Sequence, residues 1–286
     1  MAADREIRTI VGGLTFAEGP RWHDRRLWFS DFYTHRVLRC DADGSNVETV
    51  CEVPGQPSGL GWLPDGRLLV VSMTDRRLLR READGALSAA ADLSSLATWH
   101  CNDMVVDSHG NAFVGNFGFD LEAEPVNPVD ATITRVTPDG DVSPAADGMA
   151  FPNGSVITPD GRTMIVAETV GERITAFDLA EDGTLSNRRV WADVAGSFPD
   201  GMCLDSDGAV WFADALGAAC VRVAEGGAVL DRIEPGRGCF ACMLGGEDRR
   251  TLYLMLANSA HSADVTARRD AEVVAVDVDV PGAGLP

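Results

Sequence analysis

Residues 200–214 read DGMCLDSDGAVWFAD, and this pattern decides the fold because it recurs along the chain. It consists of an apolar strand, a tight turn and a second apolar strand. Six copies are present, and their starts lie 40 to 51 residues apart at Glu18, Ser58, Asn102, Asn153, Asp200 and Ala241. A repeat of this length is the first feature to interpret, since it determines the architecture.

The turns between the paired runs favour strands over helices. Asp-Gly occurs at Asp65-Gly66, Asp160-Gly161 and Asp207-Gly208, each between β-branched or aromatic residues, which is typical of β-hairpins. Each copy is followed by another strand-like run, such as residues 36–41 and 173–179. No segment shows a sustained helical period. Four strands per unit and six units predict an all-β, six-bladed β-propeller that forms one domain over residues 1–286.

The two ends of the chain are expected to close this ring. Residues 272–280 alternate apolar and polar side chains, as an outer strand does, and residues 5–11 can pair beside them.

Composition excludes several classes of function. The 286 residues include 24 Lys and Arg against 44 Asp and Glu, a net charge of −20, which would repel nucleic acid. Apolar runs are too short for a membrane span, and the first residues do not resemble a signal peptide. Seven thinly spread cysteines indicate reduced thiols and a cytoplasmic location. The pair Cys239 and Cys242 is either a redox or metal motif or two ordinary buried thiols.

One register of the repeat carries the candidate chemistry. In a propeller the innermost strand of each blade lines the central channel, so the first residue of each copy approaches the axis. Four of the six are oxygen donors: Glu18, Asn102, Asn153 and Asp200. Two carboxylates and two amides predict a site for a divalent cation. The alternative is that these residues only serve turn formation, although this leaves Glu18 unexplained.

Four short motifs resemble a known family over nearly the whole chain. They are residues 16–22 (FAEGPRW), 102–103 (ND), 151–154 (FPNG) and 199–202 (PDGM). The sequence is similar to the family that groups regucalcin (senescence marker protein), gluconolactonases and the luciferin-regenerating enzyme.

This resemblance implies a six-bladed propeller that hydrolyses lactones with one divalent cation. By the resemblance, Glu18, Asn153 and Asp200 are metal ligands, Asn102 contacts substrate or metal, and Asp200 is also the general base. Calcium is the first choice of ion, and zinc, manganese and iron are the alternatives.

Other residues near the motifs have open roles. His100 stands where sugar-lactone members of the family carry an arginine, and it could bind substrate, shuttle a proton or be merely solvated. Asp103 is a reserve base, or it steadies the Asn102 loop. Residues 116–128 form a long connection typical of a lid. Aromatic residues near the motifs either bind an apolar lactone or pack between blades; they are Trp99, Phe117, Phe119, Phe151 and Phe198, of which Phe119 is the substrate-binding candidate.

The sequence therefore predicts a metal-dependent lactonase acting on a small sugar lactone or a more apolar one. Two alternatives keep the fold. One is a phosphotriesterase or other ester hydrolase on the same metal site, and the other is a non-catalytic propeller whose cation holds the blades together.

Overall fold

The computed structural model describes residues 5–286, and in this part of the chain six antiparallel sheets form a ring. The first strand is β1 (Arg8–Leu14). Blade 1 contains β2 (Ala17–His23), β3 (Arg26–Asp31), β4 (Arg36–Cys40) and β5 (Glu48–Glu52). Blade 2 contains β6 (Pro57–Trp62), β7 (Leu68–Ser72), β8 (Arg77–Arg81) and β9 (Leu87–Asp92). Blade 3 contains β10 (Cys101–Val106), β11 (Ala112–Asn116), β12 (Ala131–Val136) and β13 (Val142–Met149).

The second half of the ring repeats this order. Blade 4 contains β14 (Pro152–Ile157), β15 (Thr163–Glu168), β16 (Arg173–Leu179) and β17 (Leu185–Asp193). Blade 5 contains β18 (Pro199–Asp205), β19 (Val210–Asp214), β20 (Ala219–Val223) and β21 (Val229–Ile233). Blade 6 contains β22 (Gly238–Gly245), β23 (Thr251–Ala257) and β24 (Ala271–Asp277), and β25 (Gly282–Ala283) follows it. The predicted six-bladed propeller is confirmed.

The inner strands of the six blades are neighbours in cyclic order. Each of β2, β6, β10, β14 and β18 contacts the next, and β22 contacts both β18 and β2. The chain closes the ring as expected, because β1 pairs antiparallel with β24 in blade 6, with Arg8 opposite Ala275 and Val11 opposite Val273.

The core lies between the faces of adjacent blades. Since these sheets are covered on both faces, their inner and second strands are mostly buried and do not alternate between buried and exposed residues. All residues of β7, β11 and β19 are buried, and the large side chains of Phe29, Trp211 and Tyr253 are almost wholly excluded from water.

Two features were not predicted. A short helix, α1 (Ser262–Arg268), lies between β23 and β24, and it is too short to show a helical period because only Val265 is buried. The C-terminal residues turn back under the ring, where β25 adds to the inner strand β18 and Leu285 pairs with Ile157 of blade 4. Within residues 5–286 no helix is long and apolar enough to cross a membrane.

Candidate functional site

Four oxygen-donor side chains lie at the start of four inner strands. Glu18, Asn102, Asn153 and Asp200 are the second residues of β2, β10, β14 and β18, respectively. None is more than 9% exposed. Because the strands are arranged around the channel in the same register, this shared position brings the four residues to one end of the channel. The tail strand β25 lies at the other end, beside Leu204 and Asp205.

The next residue is small in five of the six inner strands, because the strands approach closely here, and in blade 3 it is Asp103. A Cβ on Gly154 would lie 2.6 Å from the Asp200 carbonyl oxygen, and one on Gly201 would lie 2.5 Å from the Ala241 Cβ. Ala241 therefore belongs to this ring of small residues. The position equivalent to Glu18 in blade 6 is Phe240, so the predicted register of the sixth copy is wrong by one residue. The correction places an aromatic ring at this position, 4.8 Å from the ring of Phe16.

The electrostatics of the site are dominated by buried like charges. Burial raises the pKa of Glu18 well above its ordinary value, and the nearby Asp200 carboxylate raises it further. Burial likewise raises the pKa of Asp200, and the second cause is the carboxylate of Asp103. Three carboxyl groups thus share one region of the channel, and the site carries an excess of negative charge when they are ionised.

The two asparagines differ in their hydrogen bonds. Asn153 donates from Nδ2 to the Thr169 hydroxyl at 3.1 Å, and that hydroxyl donates to the Pro199 carbonyl oxygen, next to Asp200, at 2.8 Å. Thr169 therefore connects the candidate ligand positions of blades 4 and 5. In contrast, Asn102 Nδ2 is buried without a hydrogen-bond partner in the described residues. An unpaired buried donor is costly, so this atom is available to a ligand.

Acidic side chains at the ends of second strands hold the chain just before the inner strands. Asp31 accepts a hydrogen bond from Phe16 N at 3.0 Å, and Asp214 accepts one from Phe198 N at 2.9 Å. Glu168 accepts one from Ala150 N at 2.8 Å. These contacts fix where β2, β18 and β14 begin, and thus where the site residues lie.

The remaining predicted site residues occupy the rim. His100 immediately precedes β10 and is half-buried, and its ring stacks on Trp99 with centroids 5.1 Å apart. Burial lowers its pKa. Phe119 is buried against Phe151, with ring centroids 5.9 Å apart, and Phe117 lies 4.9 Å from the same ring. The rim aromatics thus form a packed cluster beside the channel.

The long connection between β11 and β12 crosses the mouth of the channel. Its Glu122 accepts a hydrogen bond from the backbone of Ser262 at 3.3 Å. Ser262 begins α1 in blade 6, on the opposite side of the ring from blade 3. Glu122 also contributes to raising the pKa of Tyr33 in blade 1, after burial. The connection therefore has the position expected of a lid.

Asp103 lies beside Asn102 and forms a buried ion pair with Arg21. The Arg21 Nη2 atom is 2.5 Å from Asp103 Oδ1, which also accepts a hydrogen bond from Met104 N at 2.8 Å. Arg21 was not predicted as a site residue, although the sequence repeat shows that a charged residue is unusual at this position. The equivalent residues of the other five inner strands are apolar or glycine: Gly61, Val105, Val156, Cys203 and Met243.

A metal ion at this end of the channel would need the amide oxygens of Asn102 and Asn153 as ligands. Within residues 5–286 no three His, Cys, Asp or Glu side chains are grouped to hold an ion by themselves. The candidate cation site is therefore the end of the channel where carboxylate and amide side chains lie together.

The cysteine pair lies on the inner strand of blade 6. Cys239 and Cys242 are free thiols buried on β22, and Cys242 Sγ lies 3.9 Å from Cys203 Sγ.

Comparison with known proteins gives a consistent family. Residues 16–258 match the model of the SMP-30/Gluconolactonase/LRE-like region. The chain is 30% identical to L-arabinolactonase of Azospirillum brasilense, covering 88% of this chain and 84% of that protein. It is 27% identical to the pentonolactonase of Haloferax volcanii, covering 98% and 96%. The solved structure of a luciferin-regenerating enzyme superimposes with a TM-score of 0.83 at 21% identity, covering 98% of both chains. The chain belongs to the SMP-30/gluconolactonase/LRE-like family.

Proposed function

We propose that this protein is a hydrolase that opens a small lactone to its hydroxy acid with the help of one divalent cation. The observation that carries the proposal is the convergence of Glu18, Asn102, Asn153 and Asp200 at one end of the channel, all of them buried. Relatives named as an L-arabinolactonase and a pentonolactonase support the same reaction class.

Glu18, Asn153 and Asp200 would hold the cation, with Asn102 as a fourth donor. Carboxylate and amide oxygens suit a hard ion, so calcium is the first choice and zinc, manganese and iron are the alternatives. The buried carboxylates agree with this assignment. Burial and the neighbouring carboxylates raise the pKa values of Glu18 and Asp200, and a bound cation would offset both effects. When bound, a divalent cation at this position supplies a Lewis acid that polarises a carbonyl group.

Asp200 would act as the general base. Its carboxylate takes a proton from a water molecule as the water oxygen bonds to the lactone carbonyl carbon. The bond between that carbon and the ring oxygen then breaks, and the proton passes to the leaving oxygen. Held beside the cation, the Asp200 carboxylate would stay ionised and therefore able to accept this proton.

Asn102 and the rim would bind and orient the substrate. The free Nδ2 of Asn102 can donate a hydrogen bond to a lactone oxygen. His100 precedes Asn102 by two residues on the rim and can bind a substrate hydroxyl, while the aromatic cluster containing Phe119 would limit the size of the lactone. Asp103 has one oxygen engaged by Arg21, which favours a steadying role over that of a base.

The proposal is tested with chelator-stripped protein. A panel of pentono-, hexono- and alkyl-substituted lactones and one phosphotriester is assayed while calcium, zinc, manganese and ferrous iron are added separately. We expect lactone hydrolysis to appear only with a cation. Turnover of the phosphotriester alone would support the ester-hydrolase alternative. Cation binding without any turnover would support a structural cation and overturn the proposed function.

A further inference from the structure

Arg21 is a buried cation held by three blades. It follows Glu18 by three residues on β2 and is 2% exposed. Nε donates to the Leu60 carbonyl of blade 2 at 2.9 Å, and Nη2 donates to the Met104 carbonyl of blade 3 at 2.6 Å. Nη1 donates to the Pro20 carbonyl of its own blade at 2.8 Å. A guanidinium this deeply buried requires a negative partner.

That partner is Asp103, which follows the candidate ligand Asn102 on β10 and is itself buried. Oδ1 of Asp103 accepts from Arg21 at 2.5 Å. The same oxygen fills the space beside Gly59, where a Cβ would lie 2.8 Å from it. The Asp103 charge acts on both Glu18 and Asp200. Asp103 is therefore a third carboxylate near the site, and its charge acts through space on the two proposed acidic ligands.

The role of the ion pair follows from the net charge of this region. The carboxylates of Glu18, Asp103 and Asp200 carry three negative charges when ionised. The positive charge of Arg21 reduces the net charge to −2, which one divalent cation balances. We propose that Arg21 is a positioning residue that sets the charge of the channel, so that the site binds one divalent cation with moderate affinity. This inference rests on the cation site of the proposed function.

The test is a double-mutant cycle with cation affinity as the readout. Arg21→Met, Asp103→Asn and the double variant are stripped with a chelator, and the Kd and stoichiometry for calcium and manganese are measured by titration calorimetry. Arg21→Met should bind about tenfold more tightly or take up a second ion, because it adds one net negative charge to the site. Asp103→Asn should bind about tenfold more weakly. The double variant should bind one ion within about threefold of wild type, since its net charge is unchanged.

Cation affinity that rises in Arg21→Met and falls in Asp103→Asn would show that the charge of these residues controls binding. A merely structural ion pair would lower affinity and thermal stability in both single variants, and that result would overturn the inference. Arg21→Lys keeps the charge but loses hydrogen bonds of the guanidinium, so its cation Kd should stay within about threefold of wild type even if its Tm falls. If Arg21→Met does not fold, Asp103→Asn is compared with the double variant, in which affinity must recover. Failure of the wild-type protein to bind any cation would instead reject the proposed function.

Discussion

Glu18 and Asp200 are acidic side chains with almost no access to water, yet neither forms an ion pair in the described residues. Asp200 is among the causes that raise the pKa of Glu18. Burying such groups is unfavourable unless an opposite charge compensates them. The two carboxylates therefore lower the stability of the cation-free protein. Substituting Glu18 or Asp200 should reduce cation binding or activity without unfolding the protein.

Asp200→Asn should keep the fold and lose at least about 100-fold in kcat, because the amide cannot accept the proton from water. The measurement is the rate of lactone hydrolysis in the presence of saturating cation. Asp139→Asn, on an exposed turn of blade 3, is the matched control and should retain full activity. Activity of Asp200→Asn within tenfold of wild type would remove Asp200 from the role of base.

Compared with wild type, Glu18→Gln should be equally or more stable without cation and less stable with saturating cation. Without cation the variant should melt at or above the wild-type Tm, since a buried like charge is removed. Saturating calcium at about 100 times Kd should stabilise wild type by about 2.7 kcal/mol and the variant by much less. Calorimetry with chelator and with calcium measures both. Equal calcium-induced shifts in the two proteins would exclude Glu18 as a ligand.

At the scale of single elements, the second strand of a blade positions the beginning of its inner strand. Glu168, the last residue of β15, does this in blade 4 while fully buried. It accepts hydrogen bonds from Arg173 at 2.9 and 2.8 Å and from the backbone of Ala150. Burial acts to raise the pKa of Glu168, but these hydrogen bonds outweigh it and hold the pKa below its ordinary value.

Glu168→Gln should therefore destabilise the protein by about 2 kcal/mol near neutral pH, because two arginines lose their buried partner. A carboxyl group with a lowered folded-state pKa stabilises the fold above its unfolded pKa, and this stabilisation is lost as the pH falls through the folded value. The Tm difference from wild type should thus be full at neutral pH and shrink below about pH 4.5.

Thermal melts of wild type and Glu168→Gln between about pH 3 and pH 8 provide the check, with the exposed Glu181→Gln in the same blade as control. A Tm difference that does not vary with pH would show that the carboxylate charge is not the source of the stabilisation.

At the scale of the whole molecule, closure of the ring depends on segments far apart in sequence. β1 completes blade 6, and β25 joins blade 5 on the side of the channel away from the site. The backbone of Leu285 exchanges hydrogen bonds with Ile157 at 2.8 and 2.9 Å. The tail thus connects three consecutive blades, since Gly282 N also donates to the Arg249 carbonyl of blade 6.

Gly284→Ala should disrupt this tail. The new Cβ would clash with the Ile157 carbonyl oxygen, in addition to the strain of a φ of +68°. Gly208→Ala is the matched control, because its φ of +79° is similar and a Cβ there meets open space. We expect Gly284→Ala to lower the free energy of unfolding by about 1–2 kcal/mol more than the control. Equal losses in chemical denaturation would show that docking of the tail adds nothing to stability.

The sequence by itself determined the number of blades, the closing strand and the four oxygen donors at the channel. This was possible because a propeller repeats one local unit. The same order of turn residues and apolar runs therefore occurs in each blade and shows which positions are equivalent. The register was wrong only in the sixth copy, where Phe240 and not Ala241 matches Glu18. In that copy Ala241 replaces the glycine that follows the oxygen donor in blades 4 and 5, at Gly154 and Gly201, so the local marker of the register is missing.

Only the tertiary structure decided which residues meet across the ring. The contact between Arg21 and Asp103 joins blades 1 and 3, and the contact between Glu122 and Ser262 spans opposite blades. The tail strand likewise pairs with residues far earlier in the chain. Such contacts depend on how closely the inner strands approach and on the path of each loop. They are long-range consequences of packing, and no local periodicity in the sequence encodes them.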